Sequence, residues 1–193
     1  MSIEKLTPEW GEAFLADTLA GDTEAALNLC VAMGNQQRGE AAVALWEMGI
    51  PAPAYRAFLQ LAWEHDYQHV IEAAFLRPVE VSELFDYADF DTSALPERLT
   101  VWRGTAGIDY EAAAAGLSWT TNRRMACWFA MRYADRLGSP LVLRREVRRE
   151  DVAMYSNERV EGEVVLLDEP DELPEVDGTI EEWRQLFKEE EGA

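Results

Sequence analysis

Cysteine is nearly absent from this chain, with two residues in 193, Cys30 and Cys127. Two cysteines cannot make a disulfide framework, and both lie in apolar, helical-looking stretches, so a reducing, cytoplasmic setting is expected. Long apolar runs are missing too. No uncharged apolar stretch approaches the ~20 residues that cross a bilayer. The opening Met1 to Lys5 lacks the basic head and apolar run of a secretion signal, so neither secretion nor membrane insertion is expected. Positive charge is the third scarcity: 17 Lys and Arg stand against 37 Asp and Glu, a formal net charge of -20. Such a field repels phosphate backbones and excludes a general nucleic-acid-coating role. What is present, 48% hydrophobic and 10% aromatic residues with 12 Gly and 8 Pro, belongs to an ordinary globular chain. Its 193 residues suit one domain, or one small domain with an appendage.

The charge is unevenly spread. Residues 1–92 carry four cations and sixteen acids (net -12), residues 93–167 eleven and ten (+1), and residues 168–193 two and eleven (-9). All eleven cations of the middle segment are Arg, the residue suited to holding phosphates or carboxylates in fixed bidentate geometry. Chemistry is therefore expected in residues 93–167, between acidic flanks.

Hydrophobic spacing predicts four or five short helices in residues 1–92. Thr7-Pro8 reads as an N-cap followed by a first-turn proline, and Gly21, Gly34 and Gly49 fall where helix-ending glycines belong. Leu15, Leu19, Leu27, Val31, Val43, Trp46, Phe58 and Leu61 recur at three- and four-residue spacing and supply the apolar stripes. From Leu99 the period shortens. Leu99–Gly104 and Leu117–Thr121 read as strands, followed by a helix capped by Thr120 or Thr121, faced by Ala126, Phe129, Ala130 and Tyr133, and ended at Leu137-Gly138. Leu141–Val147, a short segment at Asp151–Tyr155 and Glu163–Leu167 are further β runs. Two prolines and four acids in 168–174 forbid regular structure, and a helix from about Thr179 presents Ile180, Trp183, Leu186 and Phe187 for docking.

Three features of the middle segment stand in a telling order: an Arg ending a strand (Val101-Trp102-Arg103-Gly104), hydroxyls on the next (Ser118-Trp119-Thr120-Thr121), and a carboxylate pair opening the last (Glu161-Gly162-Glu163-Val164). Over residues 98–167 this resembles the arginine, serine, glutamate signature of mono-ADP-ribosyltransferases of the cholera-toxin-like branch, found in bacteriophages and bacterial toxins. The resemblance implies an α+β fold. A small split-sheet core over 93–167 would carry the N-terminal helices (1–92) packed on it, because ~70 residues make a marginal core alone, with an acidic tail and helix after it (168–193). It also implies an NAD-dependent transferase of the cytoplasm, or of the host-cell cytoplasm if phage-encoded, with no metal.

Carried over by position, Glu163 is the carboxylate that bonds the ribose 2′-OH of NAD and stabilises the oxocarbenium-like state. Ser118 orients it, and Arg103 grips the dinucleotide phosphates. Glu161, two residues away on an extended chain and so on the same face, would serve an acceptor guanidinium, which suggests arginine as the modified residue. Gly104, Trp119, Thr120 and Phe129 complete the expected NAD contacts, the two rings by stacking. Thr120 stands where the family often has Ser and supplies the same hydroxyl, while the 14 residues between Arg103 and Ser118 are fewer than in many members. The loop Ser156–Val160 would help choose a protein target with a basic surface.

Other readings use other residues. NAD glycohydrolysis puts water in place of the acceptor, and a charge of -20 also fits an acidic decoy on an inactive scaffold. His65 and His69 at helical spacing could ligate zinc, but lack the Glu of a His-Glu-x-x-His pair, and read as surface or part-buried residues. Cys127 reads as a small core residue, and Arg144, Arg145, Arg148 and Arg149 as surface ion-pairing groups.

Overall fold

The computed structural model describes residues 3–157, 160–168 and 172–191. The chain divides into two compact units, Met1–Phe90 and Asp91–Ala193, so residues 168–193 fall within the second rather than standing apart.

The first unit is helical: α1 (Ile3–Leu6), a 3-10 turn at Glu9–Gly11, α2 (Glu12–Ala20), α3 (Thr23–Ala32), α4 (Asn35–Glu47), α5 (Ala52–Leu76) and α6 (Val81–Ala88). Gly21 (φ 103°) and Gly49 (φ 65°) end helices in the left-handed region, where a glycine carries no Cβ penalty. Gly34 does not. Its φ is -73° and it opens α4 as the N-cap. Nor does Thr7 cap a helix: its hydroxyl donates back to the Ile3 carbonyl at 2.9 Å, closing α1. The α3 stripe also differs from expectation. Leu27 and Val31 are exposed (41% and 56%), while Ala25, Ala26, Leu29 and Cys30 are buried. Small residues at i and i+4 let α3 lie closer to its neighbours than the larger pair allows. Helix α5 is kinked at Asp66 (φ -164°, ψ 70°). Here Gly39 of α4 crosses it so closely that a Cβ would stand 2.1 Å from the His69 carbonyl oxygen.

The second unit is α+β. Its strands are β1 (Arg98–Thr105), β2 (Ser118–Thr120), β3 (Leu141–Arg148), β4 (Met154–Ser156), β5 (Glu163–Val165) and β6 (Glu175–Val176), with α7 (Tyr110–Ala114), α8 (Arg123–Met131), α9 (Ala134–Leu137) and α10 (Ile180–Glu191). The described strands form one antiparallel sheet in the order β4-β5-β2-β1-β3-β6, where the resemblance implies a split one. Alternation along each strand divides the apolar residues between the faces. Leu99, Val101, Trp119, Leu143, Val147 and Val164 pack with Ala113 and Ala114 of α7. Trp102 and Val142 pack with Ala126, Cys127 and Ala130 of α8 and with Trp183 of α10.

The helix expected over residues 121–138 is two. Asn122, not Thr120 or Thr121, caps α8, its Oδ1 accepting from the Arg124 and Met125 amides at 3.0 and 3.4 Å. Tyr133 then breaks the run with φ -125° before α9. On α10, Trp183 is buried while Ile180 is 41% exposed, so the docking face runs through Trp183 and Leu186. No described helix is long and apolar enough to cross a membrane.

Candidate active site

Three short strands assemble the central pair. The register sets Thr120 of β2 opposite Glu163 of β5, Glu163 opposite Ser156 of β4, and Thr120 opposite Trp102 of β1. One cross-strand row, Ser156, Glu163, Thr120 and Trp102, therefore shares a face of the sheet. Ser118 is the diagonal neighbour of Glu163 on that face, within reach across adjacent strands. Its Oγ donates to Glu163 Oε1 at 2.8 Å. A hydroxyl bonded to an ionised carboxylate holds it with ~1.5–3 kcal/mol, enough to fix one orientation. Glu163 is half-buried. An oriented carboxylate beside hydroxyls can bond a diol and stabilise an adjacent developing cation.

The chain leading into β5 is not extended. Val160 and Gly162 both have left-handed φ (60° and 59°), so Glu161 and Glu163 do not share a face by the i, i+2 rule, contrary to the expectation from sequence. The turn is tied down instead. Thr120 Oγ1 donates to the Glu161 carbonyl at 2.5 Å, and the Thr121 amide donates to the Gly162 carbonyl at 2.8 Å. The Gly162 amide donates to Asn157 Oδ1 at 3.2 Å. A Cβ at Gly162 would stand 2.4 Å from Thr121 Oγ1, so the turn needs glycine for space as well as for φ. Glu158 and Arg159, in the expected target-selecting loop, lie outside the described residues.

Arg103 reaches this pair from the other face. It stands opposite Leu143 in the register, so alternation sends its side chain toward Trp119 rather than beside the Ser118 hydroxyl. Its Nη1 donates to the Ser118 carbonyl at 2.5 Å. Its Nε is buried with no hydrogen-bond partner among the described residues. The guanidinium occupies the space a side chain at Gly116 would need, 2.1 Å from that Cβ position. Arg103 thus clamps the turn that carries Ser118, a link that the expected phosphate grip does not include.

The remaining expected NAD contacts separate. Gly104 faces α8, where a Cβ would stand 1.7 Å from the Ala126 carbonyl oxygen, so close packing explains this glycine. Trp119 is 2% exposed, donates from Nε1 to the Gly116 carbonyl at 2.8 Å, and lies in the core on the face away from Ser118. Phe129 stacks edge-on against Trp128 (centroids 5.2 Å apart), with the Arg132 guanidinium 4.7 Å from each ring.

Cys127 is fully buried, and burial pushes its thiol up to about 11. Among the described residues no group of three or more His, Cys, Asp or Glu side chains could hold a metal. His65 Nδ1 lies 2.9 Å from the Leu61 carbonyl, while His69 faces Glu72 and Asp66 at 3.0 and 3.5 Å. The α5 kink between the two histidines breaks the helical spacing that suggested a pair.

Sequence reasoning placed Ser156 and Asn157 in a target-selecting loop, without their contacts to the site, and passed over Gly116. Ser156, 7% exposed and directly opposite Glu163, stands on a strand of three residues, too short for a periodic signal. Asn157 and Gly116 act through turn geometry. The one available signal was Gly162 between two glutamates, a turn residue where an extended chain was assumed. No protein-family model, no curated protein and no solved structure matches the chain.

Proposed function

We propose that residues 91–193 are a mono-ADP-ribosyltransferase that cleaves NAD and transfers ADP-ribose to a protein side chain, with arginine as the acceptor. The observation that carries the reading is the Ser118 to Glu163 hydrogen bond of 2.8 Å, which joins two of the three signature positions across neighbouring strands 45 residues apart in sequence. Glu163 bonds the ribose 2′-OH and stabilises the oxocarbenium-like state as the bond from C1′ to nicotinamide breaks and its electron pair leaves with the nicotinamide. A guanidinium nitrogen of the acceptor then forms the new bond to C1′ and yields its proton to Glu161. Arg103 holds Ser118 through its carbonyl and so positions the hydroxyl that orients Glu163. The acidic flanks attract a basic target and raise its encounter rate.

Incubating the pure protein with adenylate-labelled NAD, with and without added basic proteins, tests the proposal. Label on protein that hydroxylamine releases under the mild conditions diagnostic of an arginine linkage supports it. Label ending as free ADP-ribose in both arms identifies a glycohydrolase. Intact NAD in both arms rejects enzymatic cleavage and favours the binding role.

A further inference from the structure

Strand β6 pairs with β3 only at Leu143 and Arg144. The residue before Glu175 is Pro174, which has no N–H to continue the ladder, and its carbonyl already accepts from the Tyr110 hydroxyl at 2.6 Å. Beyond Arg144 a cavity of about 590 Å³ opens along this edge, a size found in small-ligand sites.

Arg145 lines the cavity and differs from its neighbours. Arg144 and Arg148 each bond a carboxylate two residues along, Glu146 at 3.1 Å and Glu150 at 2.9 Å. Arg145 has no such bond among the described residues. Its guanidinium carbon lies over the Trp119 ring, 4.7 Å from the centroid, a contact that uses none of its N–H donors. Its Nε is buried without a hydrogen-bond partner among the described residues. Burial lowers the Arg145 pKa, against a weaker opposing pull from Asp151. A part-buried cation whose donors are unused favours an anionic acceptor.

The same cavity limits the charge of that acceptor. Five carboxylates line it against four arginines, of which Arg144 and Arg148 are already paired, and Val147 and Leu166 supply apolar wall. A dianion would meet carboxylates beyond the arginine, whereas one carboxylate on an apolar body satisfies both surfaces. The geometry points to a second ligand site, in which the N–H edge of Arg145 takes the carboxylate of a small, singly charged organic acid. Arg145 stands opposite Val101 in the register, so this site opens from the sheet face away from the Ser118–Glu163 pair. It stands or falls independently of NAD cleavage.

Benzoate is the probe. In the ¹⁵N-labelled full chain the Arg145 Nε–H resonance, assigned by its loss in Arg145→Lys, should shift saturably with sodium benzoate. Sodium chloride at equal ionic strength should leave it in place, and phosphate at pH 8 should bind at least ten-fold more weakly. Arg145→Lys, with circular dichroism confirming the fold, should weaken benzoate at least ten-fold, because a point charge cannot replace the planar fork. Asp151→Asn keeps an acceptor for the Arg148 amide and should tighten binding several-fold. A shift that follows ionic strength alone, wild-type affinity in Arg145→Lys, or phosphate binding as tightly as benzoate overturns the assignment.

Discussion

Replacing Gly104 by alanine should unfold the second unit far more easily. The added Cβ would stand 1.7 Å from the Ala126 carbonyl oxygen and 2.9 Å from the Ala130 nitrogen, both backbone atoms of α8. Carbon–oxygen contacts settle at about 3.3 Å or more, so β1 and α8 must part by roughly 1.6 Å. The helix has no room to give, since Ala126, Cys127 and Ala130 are 0% exposed and share a cluster with Val142 and Trp183. Overpacking of this kind costs about 1–3 kcal/mol, offset by the ~0.5–1 kcal/mol that alanine gains over glycine in a strand. A rigid obstacle puts the net loss near 2 kcal/mol, or about 10 °C in Tm for a unit of this size. Calorimetry, supported by urea titration read from tryptophan fluorescence, measures it. Gly34→Ala, at φ -73° with only Gln37 Oε1 at 3.4 Å, is the control and should be near neutral. A Gly104→Ala protein within about 0.5 kcal/mol of wild type would refute the packing argument. If that stable variant also lost NAD affinity, Gly104 would belong to the ligand site instead.

Other outcomes follow from the site and from the buried thiols. Glu163→Gln should cut NAD cleavage ~10²-fold or more with the fold intact, because the amide keeps the shape and loses the charge; unchanged turnover removes Glu163 from the mechanism. Glu161→Gln should abolish protein labelling while slow NAD hydrolysis persists, and equal loss of both would end the acceptor role. Arg103→Lys and Gly116→Ala both disturb the guanidinium that holds the Ser118 carbonyl, so each should lower NAD turnover by about ten-fold and the double variant little further. Additive losses in that cycle would show two separate functions. Burial raises the thiols of Cys30 and Cys127 from 9.0 to about 12 and about 11. The folded chain therefore keeps protons that the unfolded chain loses, so their contribution is complete below pH 9 and declines as pH rises toward 11. Urea midpoints measured between pH 8 and 10.5 should fall, and a flat profile would contradict the burial.

Much of the architecture is written in local patterns. The strands around Val101, Val142 and Val164 alternate or run apolar because both faces of the sheet are covered, and the helix signals at Gly21 and Gly49 survive because φ there is a property of the residue itself. Gly34 shows where such signals fail. A glycine between two helices can close one or open the next, and only the neighbouring backbone decides. At the site, Ser118 and Glu163 were legible as a pair because strand order and residue chemistry agree. Arg103 was legible as a residue but not as a contact. Its side of the sheet depends on register with β2 and β3, and register is set by pairing that no local window contains. The same holds for Glu161, where one glycine in the left-handed region turned an inferred shared face into a turn.

Asp177 gives the second unit a timetable. Its Oδ2 accepts from Trp102 Nε1 at 3.0 Å and Arg123 Nε at 2.5 Å, its amide donates to the Val142 carbonyl at 2.9 Å, and its carbonyl accepts from Trp183 Nε1 at 2.6 Å. One residue thus joins β1, β3, α8 and α10. Chains emerge from the ribosome from the N-terminal end, and domains generally fold as units. Strands β1 to β5 are therefore exposed before the residue that locks them together has been made. Until residues 175–183 leave the tunnel, Trp102 and Val142 lack the Trp183 part of their cover and the outer edge of β3 lacks β6. The first unit, complete by Phe90, has no such wait. During synthesis, then, the nascent chain carries a folded helical unit ahead of an unfinished sheet, and that interval is when an associating chaperone would find apolar surface to hold.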